Sequence, residues 1–187
     1  MPDTGLARAQ GAGIFTLPNI ISFARLCAVP VAIWLVLHHQ FGGAFTLFIL
    51  AGISDALDGW LARRRGGTAL GAILDPLADK ALMIGMYVTL AAISQLPDWL
   101  AILVVFRDLV IVGGVLLLWV ASHPTAISPL LVSKLNMTLQ IALVALVLGL
   151  DSLGASLDIL RDVAIALFTA STLLSGAAYV IRTARAA

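Results

Sequence analysis

The chain has 187 residues, of which 61% are hydrophobic and 11% are charged, and its formal net charge at pH 7 is +1. A soluble domain carries roughly 25% charged residues, so this composition excludes an ordinary soluble fold and indicates a membrane protein. The small net charge, with no basic stripe, argues against a nucleic-acid partner. The single cysteine, Cys27, excludes an internal disulfide and a cysteine-based metal site.

The hydropathy pattern predicts an all-α, polytopic membrane protein with six transmembrane helices. About 20 apolar residues cross a bilayer, so the length allows six spans with short loops and no separate soluble domain. Residues 1–187 are therefore expected to form one membrane domain, with residues 1–16 as a polar, interfacial segment. The predicted spans are approximately residues 17–38, 44–62, 70–94, 98–121, 134–150 and 159–181.

Basic residues in the short loops predict the orientation, because cytoplasmic loops of membrane proteins are enriched in Lys and Arg. Only Arg161 falls in a loop on one side of the six-span arrangement. The basic residues on the other side are Arg8, Arg63, Arg64, Arg65, Lys134, Arg182 and Arg185. Both termini and the turn between the second and third spans are therefore expected on the cytoplasmic side.

Four of the ten acidic residues, all of them Asp, lie close together around that turn. Asp55 and Asp58 are spaced i, i+3, and Asp75 and Asp79 are spaced i, i+4, so each pair lies on one face of a helix. An antiparallel arrangement of the two helices brings the pairs together near the membrane surface. Carboxylates at such close quarters repel one another unless a cation compensates their charge. Their oxygens suit hard divalent ions such as Mg²⁺, Mn²⁺ or Ca²⁺, and two such ions would balance the four charges.

A two-metal carboxylate site beside Arg and Gly residues predicts phosphoryl transfer. Gly59 leaves space for a ligand beside Asp58, and Arg63 can bind a phosphate in a forked geometry. The membrane setting predicts a substrate with a phosphate or diphosphate head and a lipid tail. A cation channel or transporter also uses intramembrane carboxylates. The enzyme is favoured because these acids surround a Gly/Arg turn at the membrane edge rather than following one pathway.

The same residues carry a resemblance to the CDP-alcohol phosphatidyltransferase family. The pattern is Asp55-x2-Asp58-Gly59-x2-Ala62-Arg63-x7-Gly71-x3-Asp75-x3-Asp79, whose turn is one residue shorter than the usual form. The resemblance implies a six-helix membrane fold and a homodimer. The expected location is the bacterial inner membrane. It also implies transfer of a phosphatidyl group from a CDP-linked lipid such as CDP-diacylglycerol to an alcohol, with release of CMP.

The resemblance further implies roles for individual residues. The implied metal ligands, for two Mg²⁺ or Mn²⁺ ions, are Asp55, Asp58, Asp75 and Asp79. Asp79 is either such a ligand, the general base that accepts the proton of the acceptor hydroxyl, or both. The residues implied to line the cytidine and diphosphate site are Gly59, Ala62, Arg63 and Gly71. Thr68 either adds a hydroxyl contact there or caps the third helix.

Segments outside this pattern bear on the acceptor alcohol. Residues 16–25 are similar to the start of both phosphatidylglycerophosphate synthases and cardiolipin synthases of the family. Residues 107–113 and 133–140 resemble the CMP-forming cardiolipin synthases. The expected acceptor is therefore phosphatidylglycerol, and glycerol 3-phosphate is the alternative.

Three basic residues, Arg25, Arg107 and Lys134, can form a pocket for the anionic head group of such an acceptor. Arg107 is unfavourable at its predicted depth unless it faces the interior of the bundle, and a salt bridge to Asp108 is its structural alternative. In the fifth span, polar residues recur at every second position from Asn136. They cannot all share one helical face, so some of them are expected to form hydrogen bonds between helices.

Overall fold

The computed structural model describes residues 17–65, 71–120, 131–155 and 157–186. Within these ranges the chain is all-α, with six helices and no strand. The helices are α1 Leu17–Leu37, α2 Phe41–Arg65, α3 Gly71–Ala92, α4 Asp98–Val120, α5 Leu131–Ser152 and α6 Asp158–Ala186. Each predicted span lies over one of these helices.

Helices α1, α3 and α5 end in the same way. Each is followed by a residue in the left-handed conformation, and these residues are His39, Ser94 and Gly154, with φ of 56°, 61° and 62°. The next N–H group along the chain then donates to a helix carbonyl five residues back, in the pairs Gln40–Leu35, Gln95–Leu90 and Ala155–Leu150. This Schellman motif satisfies the last carbonyls of a helix and reverses the chain within a short turn.

Helices α1 and α3 run in the same direction and pack closely. Arg25 of α1 contacts Asp79 of α3, and further along both helices Ile33 lies against Gly85. A Cβ atom on Gly85 would lie 3.1 Å from Cδ1 of Ile33, so the missing side chain is what allows this approach. The same register that places Gly85 against Ile33 therefore places Asp79 beside Arg25.

Helix α5 packs between α2 and α6 and runs antiparallel to α2. The Phe45 ring near the start of α2 lies against Gly149 near the end of α5. At the centre of the bundle the rings of Tyr87 and Phe168 lie 5.7 Å apart and are both buried. The carboxyl end of α2 and the amino ends of α1, α3 and α5 consequently lie at one end of the molecule.

At the opposite end, an ion pair joins the connections between helices. Nη2 of Arg161, in the first turn of α6, lies 2.6 Å from Oδ1 of Asp151 at the end of α5. Nη1 of Arg161 donates to Oε1 of Gln95, in the α3–α4 turn, over 3.0 Å. The Arg161 and Asp151 side chains are only 20% and 9% exposed, so this contact is largely buried.

Three helical segments in the described part of the chain are long and apolar enough to cross a membrane: Asn19–Leu37, Leu135–Ser152 and Asp158–Gly176. Large apolar side chains also cover the outside of the bundle, and both Trp34 and Trp99 are about half exposed. Exposing so large an apolar surface to water is unfavourable, whereas contact of this surface with lipid is not. The chain is therefore an integral membrane protein. Helix α3 carries three charged residues in its first half, Asp75, Asp79 and Lys80.

Candidate active site

The buried face of α1 changes from polar to apolar along the helix. Its first buried positions are Asn19, Ser22 and Arg25, and the later ones are Val29, Ala32 and Val36. These positions recur every three or four residues, as expected for one face of a helix packed against its neighbours. In the polar half of this face, Ser22 and Arg25 contact acidic residues of α2 and α3.

Arg25 joins the two acidic helices. Its Nη1 atom lies 2.7 Å from Oδ1 of Asp55 and 2.7 Å from Oδ1 of Asp79. The Arg25 side chain is 1% exposed, whereas the carboxylates of Asp55 and Asp79 are 41% and 27% exposed. The guanidinium therefore lies on the inner side of the carboxylates, which keep part of their surface open. Charge-assisted hydrogen bonds of this kind are about twice as strong as neutral ones.

Asp75 lies one helical turn before Asp79 on α3, and its Oδ1 accepts a hydrogen bond from the hydroxyl of Ser22. Asp55, Asp75 and Arg25 are all close enough to act electrostatically on the Asp79 carboxylate. The structure thus brings together three of the four predicted aspartates. We refer to Asp55, Asp75 and Asp79 below as the carboxylate cluster.

An apolar cavity of about 360 Å³ opens beside the carboxylate cluster, between α2, α3 and α5. Arg25, Asp55 and Asp79 are its charged residues. The rest of its lining is apolar: Phe48, Ile49, Ala51, Gly52, Ile53, Ala56, Leu82, Met83, Met137 and Ile141. A polar, charged end and an apolar body suit an amphiphilic ligand such as a lipid.

A second set of charges connects α3 to α4. Nζ of Lys80 lies 2.5 Å from Oδ2 of Asp108, and Nη1 of Arg107 lies 2.9 Å from Oδ1 of the same carboxylate. The Asp108 side chain is 4% exposed and that of Arg107 is 10% exposed. The structural alternative for Arg107, a salt bridge to Asp108, is therefore present. Arg25 and Arg107 bind different carboxylates.

Polar groups also meet between α5 and α6. Oγ1 of Thr172 donates to Oδ1 of Asn136 over 2.8 Å, and both residues are buried. Gln140, one turn further along α5, is buried too, and its backbone carbonyl accepts a hydrogen bond of 3.1 Å from the Tyr87 hydroxyl. Thr138 is exposed. The contact between Asn136 and Thr172 confirms that some of these residues form hydrogen bonds between helices.

The remaining predicted site residues are described in part. Gly59 is half-buried in α2 and Gly71 is buried at the start of α3. The other predicted positions, whose side chains lie outside the described part of the chain, are Asp58, Ala62, Arg63, Thr68 and Lys134. Their roles remain predictions.

The carboxylate cluster offers the donor atoms that Mg²⁺ and Mn²⁺ prefer, because all of its ligating atoms are carboxylate oxygens. Among the described side chains, no three His, Cys, Asp or Glu residues are arranged to surround a metal ion. In the carboxylate cluster, Arg25 lies between Asp55 and Asp79, and Ser22 binds Asp75. The donor set fits a hard cation in chemical type, and the side chain of the fourth predicted ligand, Asp58, lies outside the described residues.

Besides the two ion pairs of Arg25, two further contacts were not predicted from sequence. The first is the hydrogen bond from Ser22 to Asp75, and the second is the ion pair between Lys80 and Asp108. The spacing from Asn19 through Ser22 to Arg25 places these polar residues on one helical face, so this pattern could have indicated Ser22. No comparable signal links Lys80 to Asp108, which are 28 positions apart.

Residues 15–175 match the family model described as CDP-alcohol phosphatidyltransferase. The chain belongs to this family. The acidic pattern on which the resemblance rests, residues 55–79, falls within the matched residues. Family membership agrees with the observed all-α fold and with the placement of the carboxylate cluster where α2 and α3 meet α1.

Several curated relatives resemble the chain. It is 33% identical over 184 residues to a cardiolipin synthase (CMP-forming)/mitochondrial hydrolase fusion protein of Schizosaccharomyces pombe, an alignment covering 90% of this chain and 31% of the relative. It is 41% identical over 116 residues to a cardiolipin synthase (CMP-forming) of Streptomyces coelicolor, covering 57% and 54%.

A further relative is a chloroplastic CDP-diacylglycerol–glycerol-3-phosphate 3-phosphatidyltransferase of Oryza sativa. It is 37% identical over 147 residues, covering 69% of this chain and 45% of the relative. The alignments thus span between 31% and 54% of the length of these three relatives.

Proposed function

We propose that this protein transfers a phosphatidyl group from CDP-diacylglycerol to phosphatidylglycerol, producing cardiolipin and CMP. The observation that carries the proposal is the convergence of Asp55 and Asp79 on Arg25, at the charged end of an apolar cavity. Family membership and the relatives named CMP-forming cardiolipin synthases support this reaction and acceptor.

Enzymes of this family generally depend on divalent metal ions. We propose that Asp55, Asp58, Asp75 and Asp79 hold two such ions, Mg²⁺ or Mn²⁺. When bound, the ions would neutralise charge on the diphosphate of the donor. The exposed parts of Asp55 and Asp79 are the surfaces available for this binding, since Arg25 covers their inner side.

In the proposed reaction, Asp79 accepts the proton of the acceptor hydroxyl, and the oxygen forms a bond to the phosphorus of the phosphatidyl group. The bond from that phosphorus to the oxygen of CMP breaks, and its electron pair leaves on CMP. The proposed nucleotide-binding residues are Gly59, Ala62, Arg63, Thr68 and Gly71. Acid–base catalysis by a positioned carboxylate contributes typically about 10²–10⁴-fold to a rate.

The apolar cavity is the proposed site for hydrocarbon of the lipid donor. Its apolar lining comes from three helices, including Phe48 on α2, Leu82 on α3 and Met137 on α5. A lipid tail lying there would place its head group near Asp55 and Asp79, at the charged end of the same cavity. A lipid tail would enter this cavity from the hydrocarbon of the membrane and not from water, so the cavity would position the tail by van der Waals packing rather than by the hydrophobic effect.

We propose that Arg107 and Lys134 bind the anionic head of the acceptor. The nine-tenths burial of Arg107 and its ion pair with Asp108 would hold the guanidinium in a fixed position. The sequence predicts that Arg25 binds the acceptor together with these two residues. Its ion pairs with Asp55 and Asp79 instead support a role at the carboxylate cluster.

We further propose that all six helices cross the membrane and that the termini and the α2–α3 turn are cytoplasmic. The proposed location is the bacterial inner membrane, and the proposed assembly is a homodimer. Support for the topology comes from the excess of basic residues in the loops on one side of the six-span arrangement. The homodimer follows from the family resemblance, and the mass of the protein in detergent tests it.

Glycerol 3-phosphate is the second candidate acceptor, favoured by the relative from Oryza sativa. The decisive experiment incubates purified protein with CDP-diacylglycerol and Mn²⁺ or Mg²⁺, and supplies phosphatidylglycerol or glycerol 3-phosphate separately. CMP release with phosphatidylglycerol, abolished by a chelator, is expected. CMP release with glycerol 3-phosphate alone would reassign the acceptor. Ion flux in liposomes without CMP release from either acceptor would instead support a transporter.

A further inference from the structure

Arg25 is a fixed positive charge inside a group of negative ones. Its side chain is 1% exposed, and its Nη1 atom lies 2.7 Å from an oxygen of Asp55 and from an oxygen of Asp79. A buried guanidinium is unfavourable unless it is paired, so these contacts hold the side chain in place. Lys80, the nearest basic residue in sequence to Asp79, instead lies 2.5 Å from Asp108.

The position of Arg25 has two electrostatic effects. It offsets the repulsion between carboxylates that belong to different helices, so α2 and α3 can both pack against α1 without a metal ion. It also repels any second cation that approaches the same carboxylates, and this repulsion is strong because the surroundings have a low dielectric constant.

We propose that Arg25 is the resident counterion of the carboxylate cluster. It keeps the site folded when no metal is bound, and it weakens the affinity of the cluster for divalent cations, so that the metal exchanges readily. This inference rests on the proposed metal dependence, and it assigns to Arg25 a positioning and charge-balancing role rather than acceptor binding.

The test compares Mn²⁺ binding to purified wild-type protein and to Arg25→Gln, measured in detergent by the loss of the free Mn²⁺ signal in electron paramagnetic resonance. Removing the positive charge should lower the Mn²⁺ Kd by at least about tenfold. In chelator, the thermal unfolding midpoint of Arg25→Gln should lie below that of wild type, and Mn²⁺ should raise it more than it raises the wild-type midpoint.

Two variants control for charge and for general destabilisation. Arg25→Lys keeps the charge, so its Mn²⁺ Kd should stay closer to the wild-type value than that of Arg25→Gln. Arg161→Gln removes a largely buried guanidinium from the opposite end of the molecule, so it should lower the unfolding midpoint without changing the Mn²⁺ Kd. An unchanged or weaker Mn²⁺ affinity in Arg25→Gln, or equal tightening in Arg25→Lys, would overturn the proposal, as would undetectable Mn²⁺ binding by both proteins.

A failure of Arg25→Gln to fold is resolved by the double variant Arg25→Gln/Asp55→Asn, which removes one charge of each sign. Folding of this double variant in chelator supports the counterion role, and its failure contradicts it. CMP release by the wild-type protein is measured in the same preparation. If CMP is released but Arg25→Gln binds Mn²⁺ no more tightly, only the counterion inference fails. If no CMP is released, the proposed reaction fails while the Mn²⁺ comparison still decides the role of Arg25.

Discussion

Replacing Arg161 by Met tests how much the ion pair at the end opposite the carboxylate cluster stabilises the protein. Arg161 binds Asp151 over 2.6 Å and Gln95 over 3.0 Å. Met has a similar length and apolar bulk but no charge, so Arg161→Met keeps much of the packing and removes both polar contacts. The Asp151 carboxylate, 9% exposed, then loses its ion-pair partner.

The expected loss follows from this burial. Removing one partner of a buried ion pair costs about 3–5 kcal/mol, whereas an exposed pair contributes about 0–1 kcal/mol. Asp151 is nine-tenths buried and Arg161 is 20% exposed, so Arg161→Met should lower the free energy of unfolding by about 3 kcal/mol, at the low end of the buried range.

Equilibrium unfolding by SDS in mixed micelles measures this change. The matched control is the double variant Arg161→Met/Asp151→Leu, which removes both charges and should regain most of the lost stability. CMP release per folded molecule should be unchanged in both variants, because the ion pair lies far from the carboxylate cluster. A loss below about 0.5 kcal/mol in Arg161→Met would refute the assignment of this contact as a buried ion pair.

Three further substitutions test the site and its packing. Asp79→Asn removes the proposed proton acceptor, so CMP release should fall about 10²–10⁴-fold while gel filtration is unchanged; near-normal turnover would contradict the base role. Thr172→Val leaves Oδ1 of Asn136 without its hydrogen bond, so the free energy of unfolding in SDS should fall by about 1–3 kcal/mol. An unchanged free energy of unfolding would contradict this contact. Gly85→Leu should push α1 away from α3, lower the free energy of unfolding by about 1–3 kcal/mol and reduce CMP release. Wild-type stability of this variant would show that the space between Gly85 and Ile33 accepts a side chain.

The class of fold and the location of the acidic residues were predictable because both depend on local patterns. Apolar runs of helical length predict the helices, and the i, i+3 and i, i+4 spacings place acidic residues on one face of each. The structure brings Asp55, Asp75 and Asp79 together at one end of the bundle. The all-α prediction is confirmed for the described part of the chain, whereas crossing of the membrane by all six helices remains a prediction.

The ends of the helices were harder to predict. The first two predicted spans leave residues 39–43 as a loop, yet Gly42 and Gly43 lie in the first turn of α2. The left-handed residue that ends α1 is His39. Because glycine is the commonest residue at that position, a histidine there is a weaker sequence signal for the end of a helix.

The partners of the charged residues were not predictable from sequence for a different reason. Arg25 was assigned to the acceptor because it is a cation in an apolar helix. Its partners, Asp55 and Asp79, are 30 and 54 positions away. Their contact depends on the register between α1 and α3, which Gly85 and Ile33 help to set. Such long-range pairings follow from tertiary packing alone.

The Schellman turns after α1, α3 and α5 also bear on where the substrates can approach. These connections contain only three to five residues each, and their backbone hydrogen bonds are used within the turns. A cavity at that face is lined by polar residues that include Gln95, Asp98 and Arg161, and the carboxylate cluster lies at the other end of the described helices. For the proposed reaction the consequence is sidedness: both lipid head groups must enter from one leaflet, and CMP must return to the same aqueous compartment that supplied the nucleotide.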